Sequence, residues 1–119
     1  MSEIREMAES LGRVLGRTPE YRTLARAIES ANEDREVVAL TNEVQALQEV
    51  VEAAARKGEE PPEEEMERLG VAVRRMQASS VYQGVVAAQA NFDRIMYRVD
   101  AAMQEGMRKG AESRIILNS

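Results

Sequence analysis

Apolar residues recur three and four positions apart along almost the whole chain, which is the spacing of one face of an α-helix. The strongest run lies in the middle of the sequence and consists of Val37, Leu40, Val44, Leu47, Val51 and Ala54. Shorter runs of the same period lie at 4–14, 21–31 and 66–76, and a second long run extends over 81–102. The pattern predicts an all-α helical bundle of about five helices, two of them long and amphipathic.

Capping residues divide the N-terminal part of this pattern. Gly16 follows the first run and predicts the end of a helix. Thr18 and Pro19 read as an N-cap and a first helical residue, since a proline there loses no hydrogen bond. Before the long central run, either Asn32 or Asp34 can cap the next helix.

The central helix is predicted to end at Gly58, and the acidic segment that follows contains two prolines. Pro61 or Pro62 can begin a fourth helix, so the third and fourth helices are expected to form an antiparallel hairpin. Gly70 lies inside the fourth helix, where close packing against a neighbour is one explanation for it.

We expect a single helical domain over residues 1–119. Its parts are two short helices in 1–33, the hairpin in 34–78, a long helix in 79–110 and a tail in 111–119. The end of the tail is apolar and is either frayed or a short docking segment, with fraying the preferred interpretation.

The central run can be the inner face of a bundle or an intermolecular coiled coil, and we favour the first. The last helix carries extra apolar side chains beside its main stripe, and a wide apolar band on a long helix has to be covered. Its apolar residues are therefore candidates for a subunit or partner interface: Val81, Val85, Phe92, Ile95, Met96, Val99 and Met103.

The composition argues against catalysis. The chain has no Cys and no His, which removes thiolate chemistry, the commonest general base and the commonest transition-metal ligand. Carboxylate or Ser–Lys chemistry remains formally open, but no pattern indicates it. The acidic segment 59–67 lacks the spacing of a calcium loop and is interpreted as a solvated turn. No catalytic residue, metal site or cofactor is predicted.

The net charge of −5 argues against a protein that binds the phosphate backbone of nucleic acids, so direct nucleic-acid binding is not expected. Arg94, Arg98, Arg108 and Lys109 make the last helix locally basic, but pairing with acids four residues away is the preferred interpretation. No segment is long and apolar enough for a membrane span and the N-terminus is not a signal peptide, so we expect a cytoplasmic protein without membrane contact.

Several segments resemble the YlbF/YmcA family of bacterial regulators. The stretch 34–48 (DREVVALTNEVQALQ) is similar to the start of the family's long helix, and 57–62 (KGEEPP) is similar to its Gly-x-x-Pro hairpin. The segments 80–83 (SVYQ) and 87–92 (AAQANF) resemble its last helix, and Ala8 to Gly12 fits an N-terminal Ala-x-x-Leu-Gly. Each element is a common helix pattern, but their order covers nearly the whole chain.

The resemblance implies a small all-α protein that self-associates and acts with partner proteins. Such proteins regulate competence, sporulation and biofilm formation, and guide RNase Y in mRNA processing. Two departures stand out. The iron–sulfur clusters reported for a complex of some members use Cys, which this chain lacks, and Ser79-Ser80 replaces the usual Asn-Pro while keeping the capping function.

The resulting hypothesis is a non-enzymatic cytoplasmic adaptor, a homo-oligomer that contacts other regulatory proteins or an RNA-processing assembly. The alternative is an architectural helical oligomer or scaffold without a specific role in RNA processing.

Overall fold

The computed structural model describes the backbone of residues 2–118 and the side chains of residues 2–112. Five helices follow one another, and no residue of the described backbone lies in a strand, so the predicted all-α fold is confirmed. The helices are α1 (Ser2–Gly16), α2 (Pro19–Glu33), α3 (Arg35–Arg56), α4 (Glu63–Ala78) and α5 (Ser80–Asn118).

A short polar side chain caps the helix at each of the first two junctions, between α1 and α2 and between α2 and α3. The Thr18 hydroxyl accepts a hydrogen bond from the Tyr21 amide at 3.2 Å and donates one to the Leu15 carbonyl at 2.7 Å, so it caps α2 and the end of α1 together. The Asp34 carboxylate caps α3 by accepting a hydrogen bond from the Val37 amide at 2.9 Å. The Asp34 amide donates a hydrogen bond to the Ala31 carbonyl at 3.2 Å. Of the two candidate caps for α3, Asp34 is therefore the one used.

The turn after α3 needs a glycine. Gly58 has φ +72°, the left-handed region in which a Cβ is strained. Its amide bonds the Ala55 carbonyl at 3.1 Å, and the Glu59 amide bonds the Ala54 carbonyl at 2.9 Å, the pair of bonds that defines a Schellman cap. Pro62 then stands at the N-cap of α4, one residue before the helix begins.

The last helix is longer than its sequence predicts. The sequence predicts its end at about Gly106 or Gly110, with a tail in 111–119, but α5 continues to Asn118. Neither glycine adopts the left-handed φ that Gly58 has at the end of α3, so the helix continues through both. Whether the side chains of 114–119 fray or dock lies outside the described residues.

Two antiparallel helix pairs build the bundle. The Arg68 guanidinium on α4 lies 3.8 Å from the Glu43 carboxylate on α3. Arg75, seven residues later on α4, lines the same cavity as Glu36, which is seven residues earlier on α3. This reversed register confirms the predicted hairpin. On the other side, α2 and the first half of α5 pack against each other, also with reversed register.

The central run supplies most of the core. Four of its residues are buried and the other two are half-buried, so the intrachain interpretation is confirmed. The buried side chains are Leu24, Val37, Leu40, Leu47, Ala54, Ala72 and Ala88. On α4 the expected inner face is half-buried at Leu69, Val73 and Met76, but Met66, in the first turn of the helix, is exposed.

The close packing suggested for Gly70 is wrong. A Cβ at Gly70 would meet only the tip of the Arg74 side chain, at 3.3 Å, within the same helix. No neighbouring helix therefore requires a glycine at this position.

The molecule is elongated. Its extents are 67 × 39 × 23 Å and its radius of gyration is 21.5 Å, whereas a compact domain of this length has a radius of about 13.5 Å. The excess comes from α1 and from the distal half of α5, which extend beyond the four-helix contacts and leave large apolar surfaces uncovered.

Candidate protein-binding surfaces

The distal half of α5 carries an apolar strip on one side, which we call the α5 band. At 100° per residue its members fall within one sector of the helix. They are Ile95, Met96, Val99, Ala102, Met103 and Met107. Every residue from Asp100 to Glu112 is exposed, so this half of the helix has no cover of its own.

The structure divides the seven interface candidates between two environments. The first three lie where α5 packs on the bundle: Val81 is half-buried, and Val85 lines a cavity shared with Ile28 and Val37. The Phe92 ring meets the Tyr21 ring edge-on, with centroids 5.5 Å apart at an angle of 64°. Aromatic pairs prefer this geometry, and here it fixes α5 against α2.

The remaining four candidates lie in the α5 band. Ile95 and Val99 are half-buried, while Met96 is 40% exposed and Met103 is 54% exposed. Met107, further along the same side, is 64% exposed. After Phe92 the candidates therefore alternate between half-buried and exposed side chains, and from Asp100 onward every described side chain is exposed.

A second uncovered surface lies on α1 and was not among the sequence-based candidates. We call it the α1 stripe, and it consists of Ile4, Met7, Leu11 and Val14, with exposed fractions of 63%, 67%, 36% and 59%. No residue of α1 is buried. The periodicity predicts this stripe as readily as the seam of α3, but it does not say that nothing in the same chain covers it.

Of the basic residues that the sequence singles out on α5, Arg108 and Lys109 pair with acids along the helix. Arg108 makes ion pairs with Glu105 and with Glu112, the latter at 3.0 Å, and Lys109 lies 3.8 Å from Glu105. Arg94 donates a hydrogen bond to the Asn91 amide oxygen at 3.0 Å. The preferred interpretation of i,i+4 pairing is therefore confirmed for Arg108 and Lys109.

The grooves between the helices are open, and the cavity between α3 and the α4–α5 junction is lined by charged and hydroxyl side chains, among them Asp34, Glu36 and Arg75. The one between α2, α3 and α5 has a volume of about 340 Å³ and is lined by apolar and amide side chains, with Tyr82 as its one titratable group. Within the described side chains, no three acidic residues come together in a way that could hold a metal ion. In the described part of the chain, no helix combines the length and apolar character needed to cross a membrane.

The chain matches a known protein family. The family model described as "Control of competence regulator ComK, YlbF/YmcA" matches residues 4–108, which include the α1 stripe and all of the α5 band. No curated protein matches the chain. Because the match spans most of the sequence, the chain belongs to the YlbF/YmcA family of competence-control regulators.

Proposed function

We propose that this protein is a non-enzymatic regulatory adaptor of the cytoplasm, a homo-oligomer that binds other regulatory proteins or components of an RNA-processing assembly. The family supports a regulator rather than an enzyme. The chain contains neither Cys nor His, and the open groove between α2, α3 and α5 has a single titratable side chain.

The observation that carries the proposal is the uncovered α5 band. Met96, Met103 and Met107 are between 40% and 64% exposed, and they lie on one side of the half of α5 that extends beyond the bundle. Burying a methionine side chain contributes about 1.5–3 kcal/mol. Three such side chains on one face therefore provide a large driving force for an apolar partner surface.

The type of side chain also supports a partner interface. Methionine is unbranched and flexible, so a row of methionines adapts to different apolar partners. On one side the band is bordered by Asp93 and Asp100 and on the other by Arg98, which gives it a polar rim. A polar rim around an apolar centre is the usual anatomy of a protein interface.

The test compares two double variants of α5 with the same spacing and the same added charge. Met96→Glu with Met103→Glu places two carboxylates in the α5 band. Tyr97→Glu with Gln104→Glu places two on the opposite, exposed side of the same helix. Each variant is used to recover partners from the native cytoplasm, and its helical content is checked by circular dichroism.

We expect the wild type and the Tyr97/Gln104 variant to recover the same regulatory or RNA-processing proteins, and the Met96/Met103 variant to lose them. Equal recovery by both variants would overturn the role of the α5 band. Recovery of this chain alone by the wild type would favour the architectural oligomer. RNA binding that weakens steeply with salt, without any protein partner, would replace the adaptor by a direct RNA-binding function.

A further inference from the structure

The α1 stripe poses a separate physical problem. A 15-residue helix is marginal in water by itself, because nucleating a helix is costly and its stability normally comes from packing an apolar face. In this chain α1 touches little besides the start of α2, and none of its side chains is buried. Another surface must therefore cover the α1 stripe if α1 is to be stable.

The stripe has the pattern of a helix that pairs with a copy of itself. Ile4, Met7, Leu11 and Val14 occupy alternating a and d positions of two heptads. In an antiparallel pair, Ile4 faces Val14 of the second copy and Met7 faces Leu11. Because the pair has two-fold symmetry, the same contacts repeat, and all four layers are apolar.

The charges of α1, and of Arg17 in the turn that follows it, select the antiparallel arrangement. Residues 2–9 contain three Glu and one Arg, a net charge of −2, whereas residues 10–17 contain Arg13 and Arg17, a net charge of +2. Antiparallel pairing sets each acidic half against the basic half of the other copy. Parallel pairing would set like charges together.

The small residues of α1 fit the same arrangement. Ala8 borders the stripe on the side away from Glu3 and lies close to the two-fold axis. A Cβ added at Gly12 would meet nothing within 4 Å in the same chain. At Ala8 the small side chain leaves room for a second helix to approach closely.

The α5 band does not have this self-complementarity. An antiparallel pair through its exposed methionines, with Val99 facing Met103, brings Asp100 directly opposite Asp100 of the second copy. Like charges facing each other weaken a helix pair. The charges beside the α1 stripe therefore suit a second copy of this chain, whereas those beside the α5 band do not.

We propose that the α1 stripe is the self-association surface of this protein, and that two copies pair through α1 as an antiparallel, two-fold symmetric helix dimer. The inference rests on the homo-oligomeric state in the proposed function and assigns it to one surface. The α5 band is then left open for a different protein on each copy.

A charge-swap series of the full chain tests the pairing by sedimentation equilibrium. Glu3→Lys with Glu6→Lys makes both halves of α1 basic, and Arg13→Glu with Arg17→Glu makes both halves acidic. We expect each double variant to raise the dimer Kd at least about tenfold. Combining all four substitutions reverses the pattern and restores dimerisation if the helices are antiparallel, whereas a parallel pair stays repelled.

Crosslinking tests the register, because the chain has no native cysteine. The pairing places Ser10 beside Ser10 of the second copy, so Ser10→Cys is expected to crosslink with a short bis-maleimide. It places Ser2 opposite Gly16, so Ser2→Cys lies about 21 Å along the axis from its counterpart and is expected not to crosslink.

Three results would overturn the inference: a monomeric wild type at tens of micromolar, double variants that dimerise like the wild type, or a fourfold variant that stays monomeric. None of them decides whether the α5 band binds a partner. Conversely, failure of the Met96/Met103 test with an intact charge-swap result would leave α1 pairing in place and remove the role of the α5 band.

Discussion

The clearest stability prediction compares two leucines that the sequence presents in equivalent apolar patterns. Leu47 lies in the seam of α3 and is 5% exposed, whereas Leu11 lies in the α1 stripe and is 36% exposed. Truncation to alanine removes the same atoms from both sites. The cost depends on what surrounds them in the folded monomer.

At Leu47 the lost atoms were in contact with the core. Three carbons at about 0.8 kcal/mol each give roughly 2.4 kcal/mol, and the cavity left behind adds to this. We therefore expect Leu47→Ala to lower the free energy of unfolding by about 2–4 kcal/mol. Leu11→Ala removes atoms that are partly in water on a helix outside the core, so its effect on the monomer is expected to stay below about 1 kcal/mol.

Urea unfolding followed by circular dichroism measures the difference, at several protein concentrations so that any dimer contribution is separated. With a slope of about 1.5 kcal/mol per molar urea, Leu47→Ala shifts the midpoint down by more than about 1 M. Equal losses in the two variants at the lowest concentration would refute the argument. A loss below about 1 kcal/mol for Leu47→Ala would also show that the seam of α3 is not the core of the monomer.

Three further predictions concern the junctions and glycines and use the same unfolding assay. Asp34→Ala is expected to cost about 1–2 kcal/mol because it removes the cap of α3, and Asp34→Asn is expected to recover most of that loss; no difference between them would contradict the capping role. Thr18→Ala is expected to cost about 1 kcal/mol through the start of α2, and an unchanged midpoint would count against it. Gly58→Ala is expected to destabilise the protein by about 1 kcal/mol, because the φ of Gly58 is left-handed. Gly84 lies inside α5 with open space around it, so Gly84→Ala is expected to stabilise the protein by up to about 1 kcal/mol. Stability changes of the same sign in both variants would contradict this prediction.

Local sequence signals predicted the helices well because they act over a few residues. The Thr18-Pro19 start of α2, the Gly58 turn and the capping role of Ser79 are all present, the last with its hydroxyl accepting from the Tyr82 amide at 3.2 Å. The end of α5 was missed for a related reason. A glycine can cap a helix or lie inside one, and the residue type alone does not decide between the two.

The candidate site was predicted only in part. The apolar stripe of α5 is continuous in the sequence, so nothing in it marks Val99 as the point beyond which every described side chain is exposed. The contact between α2 and α5 includes the Tyr21–Phe92 pair near the start of α2. The α1 stripe was missed because its period is the same as that of a buried helix.

Apart from the end of α5, the sequence by itself determined which segments are helical, which face of each helix is apolar and where the caps lie, because these follow from spacing and from hydrogen bonds between neighbours in the chain. Only the tertiary structure decided which apolar faces meet one another. Five helices of unequal length cannot all cover each other when α2 and α4 are shorter than the helices they pack on. The faces that remain uncovered, on α1 and distal α5, are the surfaces through which we propose this regulator acts.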